Sequence, residues 1–453
     1  MLSIKELKQA VSYKTLYNFF LPDSFKIKGF SLDSRTLKEG EAFVALRGRR
    51  FDGHTFIDSV WEKGASLVIV EKMPEHRTAK PVMLVEDTLK AWGDIGAFLR
   101  RKYNPLVIGV TGSVGKTTIK EMIAFILKEK FHICYAPKSF NNFIGLPQTL
   151  LKLRPRHRIC ILELGTNHEG EIGRLSFMAH PDIAVISNIA HTHTAFLGNR
   201  RGVLKEKLSI FTSNSAMFGV LNGDDALLRK ARVKNKCIFY GLGKDNHFYA
   251  EFVKRKKGSL SFRINGKYLL KLNTWGMFNI YNALAAIAVS CLLGIKIKEA
   301  VESLAEFSFP PSRFQIKKRA GLILINDAYN SNPLALRSAL ESLSTFLPPR
   351  RRIGIISDML ELGKNSTRLH LECRQALEDA KFSYLIFLGT YTKHLAAELI
   401  RRGFDSRKIY FATDYRQAFR ILRGMVKKGD VIFIKGSHAF ELEKITHHFI
   451  FSK

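Results

Sequence analysis

Apolar residues follow two different arrangements along the 453-residue chain, and the change from one to the other divides the chain into regions. In the first hundred residues, short apolar runs such as EAFVAL, SLVIVE and PVMLVED are separated by turn residues, among them Lys38, Glu39 and Gly40. Short runs between turn signals predict short strands. We therefore expect a small α/β domain over residues 1–103.

From residue 106 the pattern changes to longer apolar runs that alternate with helical spacing. LVIGV, ICILEL and DIAVISNI are nearly continuous in Val, Ile and Leu, and residues 117–130 have the spacing of an amphipathic helix. Runs of this kind are typical of parallel strands that are covered on both faces. They predict a doubly wound, P-loop-type nucleotide-binding domain with a parallel sheet over residues 104–311.

A third alternation begins after FPPSRFQI, in which Pro310 and Pro311 predict a linker. Five more apolar runs follow, with helical patterns between them: GLILINDAY, RIGIISDM, YLIFLGTY, KIYFATD and DVIFIKGS. Five strand and helix units predict a second, smaller Rossmann-like domain over residues 312–453. The expected fold class is thus α/β, with three domains.

Composition is that of a globular enzyme, with 46% hydrophobic and 25% charged residues. The longest nearly uncharged apolar stretch, residues 282–295, is shorter than the ~20 residues that a membrane-spanning helix requires. The five cysteines are scattered without a CxxC pair, and the N-terminus lacks the pattern of a signal peptide. We expect no membrane span and a reducing, cytoplasmic location.

The net charge of +32 admits nucleic acid, an anionic membrane surface or anionic small substrates as partners. Basic runs occur at residues 47–50, 254–257 and 348–352, all at predicted turns. They have no flanking aromatic platform on which bases could stack. We interpret them as solvated loops and expect no nucleic-acid partner.

Residues 108–120, IGVTGSVGKTTIK, lie between a predicted strand and a predicted helix. The strict phosphate-loop spacing requires glycine where this chain has Val110, so the match is incomplete. Glycines still allow backbone N–H groups to face an anion, Lys116 would neutralise the β- and γ-phosphates, and Thr117 would ligate Mg²⁺. The structural alternative is a glycine turn with a surface lysine. The expected ATP-binding residues of the loop are Thr111, Gly112, Ser113, Val114, Gly115, Lys116, Thr117 and Thr118.

Two further residues are placed to bind a metal beside the loop. Mg²⁺ prefers oxygen ligands, and Glu163 stands at the C-terminal end of the run ICILEL, from which a neighbouring parallel strand would deliver a carboxylate. His193 follows the end of the next strand. Spacing alone leaves a structural role open for both residues.

Several separated motifs occur in order along the chain: LDSRTLKEGEAFVALRGRRFDGHTFI, TGSVGKTTIKEM, SFNNFIGLPQTLL, LELGTNHEGEI, SNIAHTHTAFLG, GMFNIYNALAAIAV, PPSRFQI, INDAYNSNP, SDMLELG and KGSH. Taken together, these motifs resemble those of the Mur ligases of peptidoglycan synthesis. The resemblance spans nearly the whole chain, and so many ordered motifs are very unlikely to arise by chance.

The resemblance implies an ATP-dependent ligase of the type that adds D-alanyl-D-alanine to UDP-N-acetylmuramoyl-tripeptide through an acyl phosphate, with the C-terminal domain binding the incoming amine. It implies ATP and Mg²⁺ as cofactors and a monomer with small-molecule substrates. A sibling ligase that adds a single amino acid would carry D-N-P-R where this chain has SDMLELG. Folylpolyglutamate synthase would show G-K-G-S at the loop. A basic nucleic-acid-dependent ATPase and a catalytically inactive binding protein remain as alternatives from other classes.

The resemblance also implies roles for individual residues. Lys116, His193, Lys207 and Arg313 would be catalytic, with Lys207 carried as a carbamate, although Lys205 lies nearby and leaves the register open. Thr117, Glu163, His193 and Lys207 would bind the metal. The nucleotide would also contact Asn279, Arg313, Asp327, Tyr329 and Asn330. The UDP-sugar would contact Ser31, Asp33, Ser34, Arg35, Asn141 and Asn142.

Three positions depart from the family's pattern. Phe278 stands where histidine is usual in G-x-H-N, His438 replaces the arginine of K-G-S-R, and Phe143 replaces the acid of N-N-E-x-G. We expect these departures to affect contacts with the substrates more than the class of reaction.

Overall fold

A computed structural model of the chain describes residues 2–48, 51–74, 79–136, 138–213, 218–256, 258–344 and 350–451. Residues 49–50, 257 and 348–349 of the basic runs lie outside the described residues. The chain forms two compact units, which are described separately below. Unit 1 comprises Met1–Ile108, Phe131–Leu164 and Arg174–Pro181, and unit 2 comprises Gly109–Lys130, Gly165–Gly173 and Asp182–Lys453. The division into three domains stays a prediction.

The described residues contain 22 strands and 17 α-helices. The strands are β1 (Leu2–Ser3), β2 (Tyr13–Tyr17), β3 (Lys26–Ile27), β4 (Gly29–Ser31), β5 (Glu41–Val44), β6 (Leu67–Val70), β7 (Val82–Val85), β8 (Leu106–Thr111), β9 (Ile133–Tyr135), β10 (Ile159–Glu163), β11 (Ile183–Ile186), β12 (Phe218–Asn222), β13 (Lys236–Gly241), β14 (Phe248–Lys256), β15 (Ser259–Ile264), β16 (Tyr268–Leu272), β17 (Gln315–Arg319), β18 (Leu322–Asp327), β19 (Arg352–Ser357), β20 (Tyr384–Leu388), β21 (Ile409–Ala412) and β22 (Val431–Lys435).

The helices are α1 (Ile4–Ala10), α2 (Ile57–Glu62), α3 (Thr88–Tyr103), α4 (Lys116–Leu127), α5 (Gly145–Leu150), α6 (Glu171–Ala179), α7 (Thr194–Leu197), α8 (Arg200–Leu208), α9 (Ala226–Arg229), α10 (Phe278–Leu292), α11 (Ile297–Ala305), α12 (Pro333–Ser344), α13 (Ser366–Leu371), α14 (Arg374–Asp379), α15 (Tyr391–Arg401), α16 (Tyr415–Met425) and α17 (Glu443–Phe451).

Unit 1 contains a five-stranded sheet in the order β2-β7-β6-β5-β4. Only the β2–β7 pair is antiparallel. Helix α1 begins with a capping box, because the Ser3 hydroxyl accepts from the Glu6 N–H and the Glu6 carboxylate accepts from the Ser3 N–H. Its buried residues Ile4 and Leu7 join Trp92 of α3 in one apolar core. The strands predicted from EAFVAL, SLVIVE and PVMLVED are confirmed.

The central strands of unit 2 form a mixed array. β11, β12, β13 and β14 pair in parallel, as the apolar runs predict. β14, β15 and β16 then pair antiparallel, which the sequence analysis did not predict. Asn265 and Gly266 connect β15 to β16 with φ of 49° and 71°, and an Asn-Gly pair between alternating residues is the usual signal for such a hairpin.

The C-terminal part of unit 2 contains a six-stranded sheet in the order β17-β18-β22-β19-β20-β21. All five predicted strands, β18 to β22, are present, and every pairing between two of these five strands is parallel. β17 is an additional antiparallel edge strand, which begins at Gln315, shortly after the prolines that predicted a linker. The α/β fold class is therefore confirmed, with mixed rather than purely parallel sheets.

Two expectations about the chain as a whole are also answered by the described residues. None of their helices is both long and apolar enough to cross a membrane. All five cysteines lie in the described part, and each is a free thiol.

Candidate active site

The loop between β8 and α4 is shaped by two glycines in the left-handed region. Gly112 has φ of 137°, and a Cβ there would lie 1.9 Å from the Ser187 hydroxyl. Gly115 has φ of 92°, and a Cβ there would lie 2.5 Å from Oδ1 of Asn282. Other residues would be strained or would clash at both positions. Val110, which stands where the strict motif has its first glycine, is a fully buried residue of strand β8.

The segment after β11 holds this loop in place. The Ser113 N–H donates to the Asn188 carbonyl at 3.0 Å, and the Val114 N–H donates to the Asn188 side-chain oxygen at 3.1 Å. The Ser113 hydroxyl accepts from the Ala190 N–H at 2.9 Å and from the Thr192 hydroxyl at 3.1 Å. These bonds fix the loop conformation before any ligand binds.

Helix α4 begins with the two residues to which the sequence assigns the phosphates and the metal. Lys116 Nζ donates to the Gly112 carbonyl at 2.8 Å, so the lysine curls back over the loop. Thr117 and Thr118 are both 5% exposed. N–H groups at the start of a helix favour a bound anion. The loop, its lysine and its threonines therefore lie together at the start of α4, and their binding of ATP stays a prediction.

Arg313 lies against the same helix start. Its Nη2 donates to Thr117 Oγ1 at 2.7 Å, and its guanidinium carbon lies 3.8 Å from the centre of the Tyr329 ring. The neighbouring Ser312 and Phe314 both have positive φ, 58° and 54°. Backbone strain persists only where surrounding contacts enforce it, and here the two strained residues flank the arginine that bonds to a threonine of the phosphate loop.

Asp327, at the end of β18, anchors the backbone beside Arg313. Its Oδ1 accepts from the Phe314 N–H at 3.0 Å, and its Oδ2 accepts from Lys435 Nζ at 2.6 Å. Burial raises the pKa of Asp327, and the Lys435 ammonium opposes that rise. Lys435 also donates to the Asn330 carbonyl at 3.2 Å. Lys435 was not among the predicted site residues, although it is the lysine of the KGSH motif.

Asn279 lies in the first turn of α10 and is 1% exposed. Its Nδ2 donates to Thr274 Oγ1 at 3.1 Å, and its Oδ1 accepts from Asn282 at 2.9 Å. Asn282 in turn approaches Gly115 of the phosphate loop, and the sequence analysis missed it. Phe278, which replaces the family's histidine, packs edge to face on Phe314 at 5.5 Å, so this departure extends the apolar packing beneath Arg313.

His193 and Lys207 lie on two neighbouring segments of unit 2. His193 precedes α7, and its Nδ1 is 2.5 Å from Glu361 Oε2, a partner that the sequence analysis did not identify. Lys207 of α8 is 1% exposed. Lys205 is exposed and pairs with Glu169 at 2.5 Å. Lys207 is thus the buried lysine of the two, and its modification to a carbamate stays a prediction.

In unit 1, Glu163 ends β10 and is 3% exposed. Its Oε1 accepts from Asn141 Nδ2 at 2.8 Å. The Asn142 side chain accepts from the N–H groups of Ile144 and Gly145 and so helps to start α5. Phe143, the replaced acid, lies beneath the Arg174 guanidinium at 4.4 Å. Of the two asparagines, Asn141 contacts the carboxylate and Asn142 serves the local backbone.

Also in unit 1, residues Ser31 to Arg35 form one preorganised turn. The Ser31 hydroxyl donates to the Asp33 carbonyl at 3.0 Å, and Arg35 makes two bonds to the Asp33 carboxylate, at 2.9 and 2.7 Å. These bonds lower the pKa of Asp33 to about 2. The Ser34 carbonyl accepts from Lys63 Nζ at 2.7 Å. Arg35 is mostly exposed, which leaves its guanidinium accessible to an anion.

The donors present suit Mg²⁺ better than a transition metal. Across the described part of the chain, no cluster of three or more His, Cys, Asp or Glu side chains could hold a metal unaided. Mg²⁺ is commonly held by one or two protein oxygens together with water and phosphate oxygens. The Thr117 hydroxyl of unit 2 and the Glu163 carboxylate of unit 1 are each an oxygen donor of that kind, so the chemistry of each residue fits the ion, and their shared role stays a prediction.

Comparison with known protein families matches three parts of the chain. The Mur ligase middle domain matches residues 110–290, the Mur ligase glutamate ligase domain matches residues 312–438, and the Mur ligase family catalytic domain matches residues 26–97. The chain belongs to the Mur ligase family.

Individual relatives are more specific. The chain is 32% identical over 429 residues to the UDP-N-acetylmuramoyl-tripeptide–D-alanyl-D-alanine ligase of Bacillus subtilis (strain 168), which covers 94% of this chain and 93% of the relative. It is also 32% identical over 366 residues to the enzyme of that name from Escherichia coli (strain K12), with 79% and 80% covered.

Solved structures of MurF ligases are also similar to this chain. A crystal structure of MurF from Acinetobacter baumannii superposes with a TM-score of 0.89 at 26% identity and covers 99% of this chain and 98% of that one. The MurF ligase of Thermotoga maritima in complex with ADP superposes with a TM-score of 0.81 at 27% identity, with 93% and 97% covered.

Proposed function

We propose that this protein is an ATP-dependent ligase that joins D-alanyl-D-alanine to UDP-N-acetylmuramoyl-tripeptide in peptidoglycan precursor synthesis. The observation that carries the proposal is the meeting of Arg313 with Thr117 beside Lys116 on a phosphate loop. The names of the relatives supply the identity of the substrates.

An amide cannot form directly from a carboxylate and an amine at neutral pH, because the carboxylate is resonance-stabilised and lacks a leaving group. In the proposed reaction, an oxygen of the tripeptide's terminal carboxylate attacks the γ-phosphorus of ATP, and ADP leaves. The resulting acyl phosphate is attacked by the amine of D-alanyl-D-alanine, which gives a tetrahedral intermediate. Collapse of that intermediate releases phosphate and leaves the amide.

Lys116 and Arg313 supply positive charge where two anions must approach each other. Lys116 exchanges the Gly112 carbonyl for phosphate oxygens, and Arg313 exchanges the Thr117 hydroxyl for the γ-phosphate. Fixed charges of this kind stabilise the charge that develops in phosphoryl transfer. Asp327, which accepts from Lys435, holds the Phe314 N–H next to Arg313, and the stack on Tyr329 limits the directions in which the guanidinium can point.

Mg²⁺ would be held by Thr117, Glu163 and His193 and by Lys207 in its carbamate form. Bound there, the ion supplies charge neutralisation for the triphosphate. A carbamate converts a cationic amine into an anionic oxygen ligand, which would explain why a lysine stands beside Mg²⁺.

Ser31, Asp33, Ser34, Arg35 and Asn141 would bind the UDP-sugar. Both the UDP-sugar and ATP are polyanions, so the net charge of +32 raises their rate of encounter with the protein. We further propose that the chain acts as a monomer in the cytoplasm, where ATP is available.

The direct test measures phosphate release and product mass with UDP-N-acetylmuramoyl-tripeptide while the amine is varied. D-alanyl-D-alanine should support release and add its mass minus water, whereas single amino acids should give neither. Release with a single amino acid would assign the chain to a sibling activity. Release that requires DNA or RNA instead of the sugar peptide would refute the ligase.

A further inference from the structure

His193 and Glu361 form a close polar contact between two segments that are far apart in the chain. His193 Nδ1 lies 2.5 Å from Glu361 Oε2, and the residues are 168 positions apart. His193 is in the segment that follows β11, and Glu361 is in the segment that follows β19. β11 and β19 belong to different sheets, so the contact joins two parts of unit 2 that no strand pairing connects.

The two segments also interlock through their backbones. The Ala195 N–H donates to the Glu361 carbonyl at 3.1 Å, and the Thr194 hydroxyl donates to the Leu362 carbonyl at 3.3 Å. At Gly363, a Cβ would lie 2.9 Å from the Ala195 Cα. Glu361 itself has φ of 64°, a conformation that is costly for glutamate. The surrounding contacts therefore hold this carboxylate in one position against the imidazole.

The chemistry of the pair fixes the state of the ring. The two side chains lie at hydrogen-bond distance, and a carboxylate can only accept a hydrogen bond. Nδ1 of His193 must then carry the proton that is donated. In the neutral ring, Nε2 is left with its lone pair free for a cation.

We propose that Glu361 is a positioning residue that fixes His193 in the Nδ1–H tautomer and thereby presents Nε2 as the metal-binding nitrogen. The inference rests on the proposed function, in which His193 binds Mg²⁺ beside ATP. A carboxylate that accepts from the second nitrogen of a metal-binding histidine orients the ring and raises its basicity, and its loss typically weakens metal binding by ~10- to 100-fold.

The first test measures Mn²⁺ binding to the ATP-loaded protein by electron paramagnetic resonance, with no sugar peptide present. Glu361→Ala should weaken Mn²⁺ binding at least ~10-fold, and Glu361→Gln, which keeps an acceptor without charge, should fall between Ala and wild type. Glu299→Gln is the matched control, because Glu299 is a surface acid that pairs with Lys130. Unchanged Mn²⁺ affinity in a folded Glu361→Ala protein would overturn the inference.

The second test needs neither metal nor nucleotide. Nitrogen NMR of ¹⁵N-histidine-labelled wild-type protein should show His193 as the Nδ1–H tautomer, with its signal assigned by its loss in His193→Gln. The Nε2–H tautomer in the wild type would refute the proposal. Because this measurement does not depend on activity, it decides the role of Glu361 even where the ligase assay fails and the proposed function is lost.

Discussion

Arg313 donates a 2.7 Å hydrogen bond to the hydroxyl of Thr117, a residue 196 positions away that begins the helix of the phosphate loop. The same guanidinium lies on the Tyr329 ring. In the proposed reaction, the metal and Arg313 cannot both use the Thr117 oxygen in this way, because two cations would compete for it. Arg313 is therefore expected to move to the γ-phosphate when ATP and its metal bind.

Replacing Arg313 tests this exchange. Arg313→Ala should lower phosphate release at least ~10²-fold, because a charge that stabilises the transferred phosphoryl group is lost. Arg313→Lys should recover only part of the lost activity, since lysine lacks the planar, forked guanidinium group of arginine. Steady-state phosphate release checks both, with Arg319→Ala on the following edge strand as control. Full activity in Arg313→Ala would remove this residue from the mechanism.

Lys116→Ala should likewise reduce turnover at least ~10²-fold. Lys116 Nζ donates to the Gly112 carbonyl, while Asn188 holds the loop through backbone N–H groups, so the melting temperature of the variant should stay close to that of wild type. Turnover and thermal unfolding together separate loss of catalysis from loss of fold. The exposed Lys130→Ala serves as control. A near-normal rate for Lys116→Ala would contradict the role given to the loop.

The carbamate at Lys207 gives a rescue experiment. Lys207→Ala should lose most activity and regain part of it when a small carboxylic acid is added, because the acid can supply the missing oxygen ligands. Lys205→Ala, which removes an exposed lysine of the same helix, should keep its activity and be indifferent to the acid. Activity of Lys207→Ala without any added acid would show that the modification is unnecessary.

The turn of Ser31 to Arg35 has a pH signature. The two bonds from Arg35 lower the pKa of Asp33 to about 2, against an ordinary value of ~3.9. A lowered carboxyl pKa stabilises the turn fully above about pH 4, and that contribution is lost as the pH falls through about 2. Carboxyl-carbon NMR at pH 3 should find Asp33 mostly ionised in wild type and mostly protonated in Arg35→Ala. Equal ionisation in both proteins would contradict this account of the turn.

The sequence predicts the parallel strands and the phosphate loop well because both depend on local signals. Nearly continuous apolar runs mark strands buried on both faces, and Lys116 follows a glycine at the start of an apolar helix. The hairpin of β15 and β16 was missed although Asn265 and Gly266 marked it. Strand β17 was not predicted, because Pro310 and Pro311 just before it indicated a linker.

Contacts between residues that are far apart in the chain could not be predicted from the sequence. Nothing near Glu361 indicates that it lies against His193, and nothing near Asn282 indicates that it approaches Gly115. Lys435 was within reach, since it belongs to the KGSH motif and follows an apolar run, but its partner Asp327 is 108 positions away. Long-range ion pairs of this kind depend on strand order, which local periodicity does not encode.

The central claim is that a carboxyl oxygen of the sugar peptide attacks the γ-phosphate of ATP. Its most direct test uses UDP-N-acetylmuramoyl-tripeptide with ¹⁸O in the terminal carboxylate, together with ATP and D-alanyl-D-alanine, and examines the released phosphate by mass spectrometry. We predict that each phosphate released carries an oxygen atom from the carboxylate. Phosphate that contains no label from the peptide, with ligation still proceeding, would contradict the acyl-phosphate mechanism.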